Sequence, residues 1–155
     1  MEEIIKYINK YFYKEGEKND FTLEEGRLMA DFKLKYLKGL YIQIEGSLLN
    51  DGIYEIKDID NGLIIEGLED EEFNGVVIIM AIPKDLKILS KEIAEYKKEN
   101  KTSAYISENI GAYSYTKATD KDGKVITWQL AFKDSLKKYK NLTSKESQRR
   151  WVKIC

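Results

Sequence analysis

Histidine is missing from this chain altogether, and proline and cysteine occur once each, at Pro83 and Cys155. Without histidine the commonest general base and transition-metal ligand are gone, and so is every Ser–His or Cys–His nucleophilic pair. A single cysteine allows no disulfide within the chain and no multi-cysteine metal site. It stands at the last position, whereas prenylation needs a cysteine fourth from the end. No GxGxxG or GxxxxGK[ST] phosphate loop is present, and no GxSxG elbow. The longest apolar run, residues 76–82, is strand-sized and far short of the roughly 18 residues of a membrane span. The start, Met1-Glu2-Glu3, is acidic, unlike a secretory leader. A net charge of −1 creates no overall attraction to nucleic acid or to an anionic membrane. Together these absences point to a protein that is not an enzyme, needs no cofactor or metal, and stays off the membrane.

What is present fits one soluble domain: 155 residues, 43% apolar and 34% charged. Eleven tyrosines offer apolar bodies with polar tips, which suit interfaces as well as core edges. Ile4, Ile5, Ile8, Tyr11 and Phe12 mark an amphipathic helix over residues 2–12. Residues 14–20 read as a polar loop. Phe32, Leu34 and Tyr36 alternate with charged residues as a strand would, while residues 28–37 also admit a helix. Strands are predicted over 41–45, 53–57, 63–66 and 76–81. The turn signals between them are Asn50-Asp51-Gly52, Asp60-Asn61-Gly62 and Phe73-Asn74-Gly75. Pro83 suits the first position of a helix whose face is Leu86, Leu89, Ile93 and Tyr96 and which ends near Asn100. Residues 101–124 read as a long irregular loop, a length usually tied to function. Thr127 offers an N-cap to a last helical stripe, Trp128, Phe132, Leu136 and Tyr139. Residues 143–155 have little periodicity. The expected class is α+β: a small antiparallel β-meander or partial barrel, inserted over about residues 30–82 between an N-terminal helix and two C-terminal helices.

Few residues invite a chemical reading. Ser103, Ser107 and Ser114 lack a base. Glu69-Asp70-Glu71-Glu72 reads as a solvated turn, since consecutive carboxylates do not converge on one ion and EF-hand spacing is missing. Tyr41, Tyr54 and Phe73 have the makings of a base-stacking platform, but basic residues between them are sparse and packing is the favoured reading. Charge is segregated. Residues 137–155 hold Lys137, Lys138, Lys140, Lys145, Arg149, Arg150 and Lys153 against Glu146 alone, whereas residues 55–72 are strongly acidic. The basic tail suits nucleic-acid phosphates, an acidic face of a partner or neighbouring copy, or plain solvation. Trp151 favours docking, because an exposed tryptophan is a good anchor.

The order of these pieces resembles a known family. Tyr41-Ile-Gln-Ile-Glu-Gly-Ser, then Asn50-Asp-Gly-Ile-Tyr, Asp70-Glu-Glu-Phe-Asn-Gly, Ala81-Ile-Pro, the run from Tyr105 to Ala118 with its Ser-Glu-x-x-Gly-x-Tyr-Ser-Tyr pattern, and Trp128-Gln-Leu-Ala-Phe are similar to segments of head–tail connector (adaptor) proteins of Gram-positive phages and prophages. The likeness spans residues 36–142. It implies a structural protein of the virion, made in the host cytoplasm. Such a protein forms a homo-oligomeric ring, commonly dodecameric, at the head–tail junction. The ring extends the channel through which genomic DNA passes without sequence-specific recognition. It implies the portal protein and a neck or tail-completion protein as partners. The resemblance also implies subunit or portal contacts at Tyr105, Tyr113, Ser114, Tyr115 and Lys117. Arg149, Arg150 and Trp151 join them from a basic extension, residues 143–155, beyond a connector-like domain of residues 1–142. Removing that extension is expected to leave folding intact and weaken assembly. A neck stopper, a tail terminator and a nucleic-acid-binding β-barrel module are the alternatives.

Overall fold

The computed structural model describes residues 1–99, 107–110, 113–116, 127–150 and 152–154. Residues 1–83 and 141–155 form one compact unit, and residues 84–140 form a second. The architecture is α+β, and its main sheet is open.

The first unit is built on two long strands. β1 (Tyr13–Glu24) and β7 (Glu71–Met80) pair antiparallel along nearly their whole length. On the β7 side follow β3 (Tyr41–Glu45) and the edge strand β4 (Gly52–Glu55). On the β1 side follow β2 (Arg27–Met29), β6 (Leu63–Ile64) and the edge strand β5 (Asp58–Ile59). Among the described residues of this sheet, β1–β2, β3–β4 and β5–β6 are the neighbours consecutive in sequence. β7 returns to the middle and joins the two halves, so the sheet is not wound in simple sequence order.

Strand alternation decides the two faces. Phe21, Leu23, Ile42, Ile44, Val77 and Ile79 share one face and form the main core with Leu28, Ile56, Leu63 and Ile65. Phe21 stacks on Phe73 with ring centroids 5.3 Å apart. Ile78 and Met80 point to the other face and are also buried, so both faces of β7 are covered there. Helix α1 (Glu2–Ile8) buries Ile4, Ile5 and Ile8 and meets β4, where Glu2 accepts the Ile53 N–H at 3.3 Å.

Several elements differ from the sequence reading. Residues 14–20, expected as a loop, lie inside β1. Their polar composition gives no apolar alternation, and the ladder with β7 holds them extended instead. Phe73-Asn74-Gly75, expected as a turn, lies inside β7. Gly75 serves a close backbone approach there: a Cβ would collide with the Glu45 carbonyl, and one on Gly46, at φ 94°, would meet the Gly75 Cα at 3.1 Å. The β-region therefore begins at Tyr13 rather than near residue 30. The turn missed by the reading is Glu25-Gly26, both at positive φ, which joins β1 to β2. α1 stops at Ile8 because Asn9 adopts the left-handed conformation (φ 54°). Residues 30–40 are irregular. Phe32, Leu34 and Tyr36 nonetheless cover the core, with Phe32 edge-on to Tyr36 at 5.0 Å.

In the second unit, α2 (Lys84–Glu99) starts after Pro83 as expected and buries Leu86 and Ile93. The segment expected as a long loop contains a hairpin, β8 (Ser107–Ile110) with β9 (Tyr113–Thr116). Ile110, Tyr113 and Tyr115 are residue types that favour strands. Thr127 caps α3 (Trp128–Ala131), accepting the Leu130 N–H at 3.4 Å. The expected single helix breaks at Phe132 (φ −105°, ψ 14°), and α4 (Lys133–Lys137) follows.

Candidate functional site

The C-terminal residues, read as a basic extension able to dock, belong to the sheet unit. Asn9 Nδ2 donates to the carbonyls of Asn141 (3.2 Å) and Thr143 (2.7 Å), and the Asn141 N–H donates to Ile8 O. Ser144 Oγ accepts the Ser147 N–H and starts α5 (Lys145–Arg150). From α5, Gln148 reaches back to the main chain after α1. Its Oε1 accepts the Tyr11 N–H at 2.9 Å and its Nε2 donates to Asn9 O at 2.6 Å. Glu45 on β3 meets Arg149 at 3.2 Å and Lys145 at 3.9 Å. Tyr13 Oη donates to Gln43, and Gln43 donates to Glu45. Burial, with Glu45 close by, pushes the Tyr13 hydroxyl well above its usual range. The chain then adds β10 (Lys153–Ile154) in parallel to the part of β1 that β2 leaves open, at Glu15 and Gly16. A Cβ on Gly16 would lie 3.1 Å from the Val77 carbonyl oxygen and 2.9 Å from Ile154 Cδ1, which would have to turn aside.

Residues 143–155 are therefore part of the sheet unit rather than a free extension. Their low hydrophobic periodicity hid a short helix held by polar contacts. The expectation that their removal leaves folding intact is corrected: truncation strips partners of Asn9, Tyr11 and Glu45 and uncovers part of β1, so a loss of thermal stability is expected. Arg149 is committed to Glu45. Arg150 is exposed and lines an open cavity of about 370 Å³ with Glu146, Arg149, Val152 and Ile154.

A second feature is the loop between β3 and β4, residues 46–51. Glu71, read as part of a solvated turn, is on β7 beneath it. Its carboxylate accepts from Ser47 Oγ, from the N–H groups of Leu48 (2.8 Å) and Leu49 (3.4 Å), and from Asn50 Nδ2 (3.0 Å). These bonds, the Ser47 hydroxyl first, hold its pKa below the usual carboxylate value. Asn50 is buried, and its amide exchanges hydrogen bonds with both backbone groups of Glu69. The loop is thus rigidly tied, yet Leu48 is 94% exposed and Leu49 56%.

In the second unit, Asp85 accepts from Tyr139 Oη and from Lys138 Nζ, the latter at 2.9 Å. These two donors, Tyr139 first, hold Asp85 down to about 2. They line a shallow cavity of about 340 Å³ with Ile88, Leu89 and Glu92. Asp85 is mostly exposed and its donors satisfy it, so the arrangement is a clamp between α2 and the end of α4.

Among the described residues, no group of three or more Cys, Asp or Glu side chains is placed to hold a metal ion. No helix there is long and apolar enough to cross a membrane. Tyr113, Ser114 and Tyr115 lie on β9, while Tyr105, Lys117 and Trp151 lie outside the described residues. Phe73 and Tyr54 pack against the core, as the packing reading expects. Sequence reasoning missed Leu48, Leu49, Glu71 and Gln148. The only signal was two leucines inside a Gly-Ser-Leu-Leu-Asn-Asp-Gly turn, where apolar residues have no local reason to sit. No protein-family model matches the chain, and no curated protein or solved structure does either.

Proposed function

We propose that this chain is a ring-forming head–tail connector subunit, placed between a phage portal and tail and extending the DNA channel. A ring subunit needs two different surfaces that match each other, because a heterologous contact repeated around an axis closes only if each copy carries both halves. The observation that carries the reading is the presence of two such unlike surfaces on the sheet unit. One is a tied loop with exposed leucines, bonded to Asp51 and to the backbone of Glu69. The other is the basic C-terminal segment with its cavity. The likeness across residues 36–142 supplies the assignment to the connector. On this reading the partners are further copies of the chain, the portal and a neck or tail-completion protein, and DNA passes without base readout.

A neck stopper or tail terminator uses the same kind of surfaces and differs in position within the particle. The nucleic-acid-binding module is disfavoured, because the sheet is open and Phe73 stacks on Phe21 in the core rather than offering its face to bases. The test is reconstitution with a phage portal protein, followed by electron microscopy. Rings seated on the portal are expected. A protein that stays monomeric and ignores the portal at high concentration overturns the proposal, and rings bound only to the tail tube move it to the terminator.

A further inference from the structure

We infer that Asn61-Gly62, at the tip of the β5–β6 hairpin, is a site of spontaneous covalent modification, at which the Gly62 nitrogen closes on the Asn61 side chain and the asparagine becomes an aspartyl or isoaspartyl residue. This stands independently of the ring reading.

The chain holds two Asn-Gly pairs, identical in sequence and opposite in setting. In both, glycine presents its nitrogen without a side chain to hinder attack. Asn74 lies inside β7, and its Nδ2 donates to Asp20 at 2.7 Å. Gly75 is buried, paired with Asn19 on β1 and pressed against the Glu45 carbonyl of β3. Ring closure there would have to part the central strands. Asn61 sits at φ 51° in a stretch, residues 57–61, that is exposed throughout. Two residue pairs hold β5, Asp58 with Ile64 and Ile59 with Leu63. Among the described residues nothing accepts the Gly62 N–H or holds the Asn61 carboxamide. Opening this edge lifts no buried side chain of β5, so the reactive geometry is reached by a local motion of low cost.

The fold also fixes the pair. Residue 61 is left-handed, which favours Asn, Asp or Gly. Residue 62 has φ 137°, and a Cβ on it would lie 2.7 Å from the Leu28 carbonyl oxygen, so only glycine fits.

The reaction needs only water. The Gly62 amide nitrogen loses its proton and bonds to Asn61 Cγ. The bond from Cγ to the side-chain nitrogen breaks, and ammonia leaves with the proton. Water then opens the five-membered imide at either carbonyl, giving an aspartyl residue or an isoaspartyl link with one more main-chain carbon. Either product puts a carboxylate beside Asp60, whose partner Arg27 is 3.5 Å away. The longer link disturbs the connection that carries the Asp60 N–H to Gly62 O bond. Leu63 and Ile65 stay anchored from β2 and Gly26, so the core is kept.

The experiment ages the full chain at mildly alkaline pH, folded and in denaturant, and follows the unit mass gain after digestion with a glutamate-specific protease, which separates the two pairs. Isoaspartyl product is counted with an isoaspartyl methyltransferase and a labelled methyl donor. In the folded chain Asn61 is expected to convert at least about tenfold faster than Asn74, because the central ladder resists local opening and the edge does not. In denaturant the two rates should draw together. Asn61→Gly, which keeps a residue at ease with positive φ, should reduce methyl incorporation to background with native circular dichroism. Equal rates for Asn61 and Asn74 in the folded chain overturn the inference. So does an Asn61 that converts only in denaturant, or methylation that persists in Asn61→Gly.

Discussion

Residues 30–40 and residues 46–51 flank β3 on either side, both are irregular, and both are tied by a glutamate from the central strand pair. Glu17 on β1 is 0% exposed and accepts the N–H groups of Lys33 (3.0 Å) and Leu34 (2.8 Å). Glu71 on β7 accepts those of Leu48 and Leu49. The device is the same: a side-chain acceptor replaces the ladder partner that an irregular backbone lacks. The outcomes are opposite. The first loop turns Phe32, Leu34 and Tyr36 inward over the core, and the second turns its leucines out. A tied loop therefore does not disclose its role; what matters is where its apolar side chains go. The first serves stability, and the second, having no core to serve, is free to serve contact.

The comparison breaks most visibly at Glu17. Glu17→Ala leaves two N–H groups without their acceptor in a buried place, and the expected loss is about 3 kcal/mol in denaturant unfolding. Glu17→Gln keeps an acceptor and should lose much less. Equal losses would mean that the loop is held by packing alone. Glu71→Ala should act locally. Hydrogen exchange at the Leu48 and Leu49 amides should speed up, with the unfolding midpoint nearly unchanged. A midpoint drop as large as that of Glu17→Ala would erase the distinction between the two loops. The smallest effect is on pH. Glu71 is depressed in the folded state, so its contribution is complete above the ordinary glutamate value of about 4.3 and fades as pH falls through its lower folded value. Amide signals of residues 47–50 should hold steady from pH 7 to 5 and shift only in the acid range. A shift centred near pH 6 would contradict the assignment.

The sequence by itself determined the elements whose signals are local. The α2 start at Pro83, the Thr127 cap, the Asn61-Gly62 turn and β3 each follow from a residue's own backbone preference or a short apolar pattern. It also determined the α+β class. The tertiary structure alone decided the rest, because the causes are distant in the chain. Residues 15–20 become strand since β7 supplies their partners from residues 74–79. Phe73-Asn74-Gly75 stays extended since the β3 backbone passes over Gly75. Residues 143–155 fold since Asn9, Tyr11 and Glu45 receive Gln148 and Arg149 from more than a hundred residues away. The exposed leucines were present in the sequence, but only the fold, by filling the core from elsewhere and binding their loop to Glu71, left them facing outward.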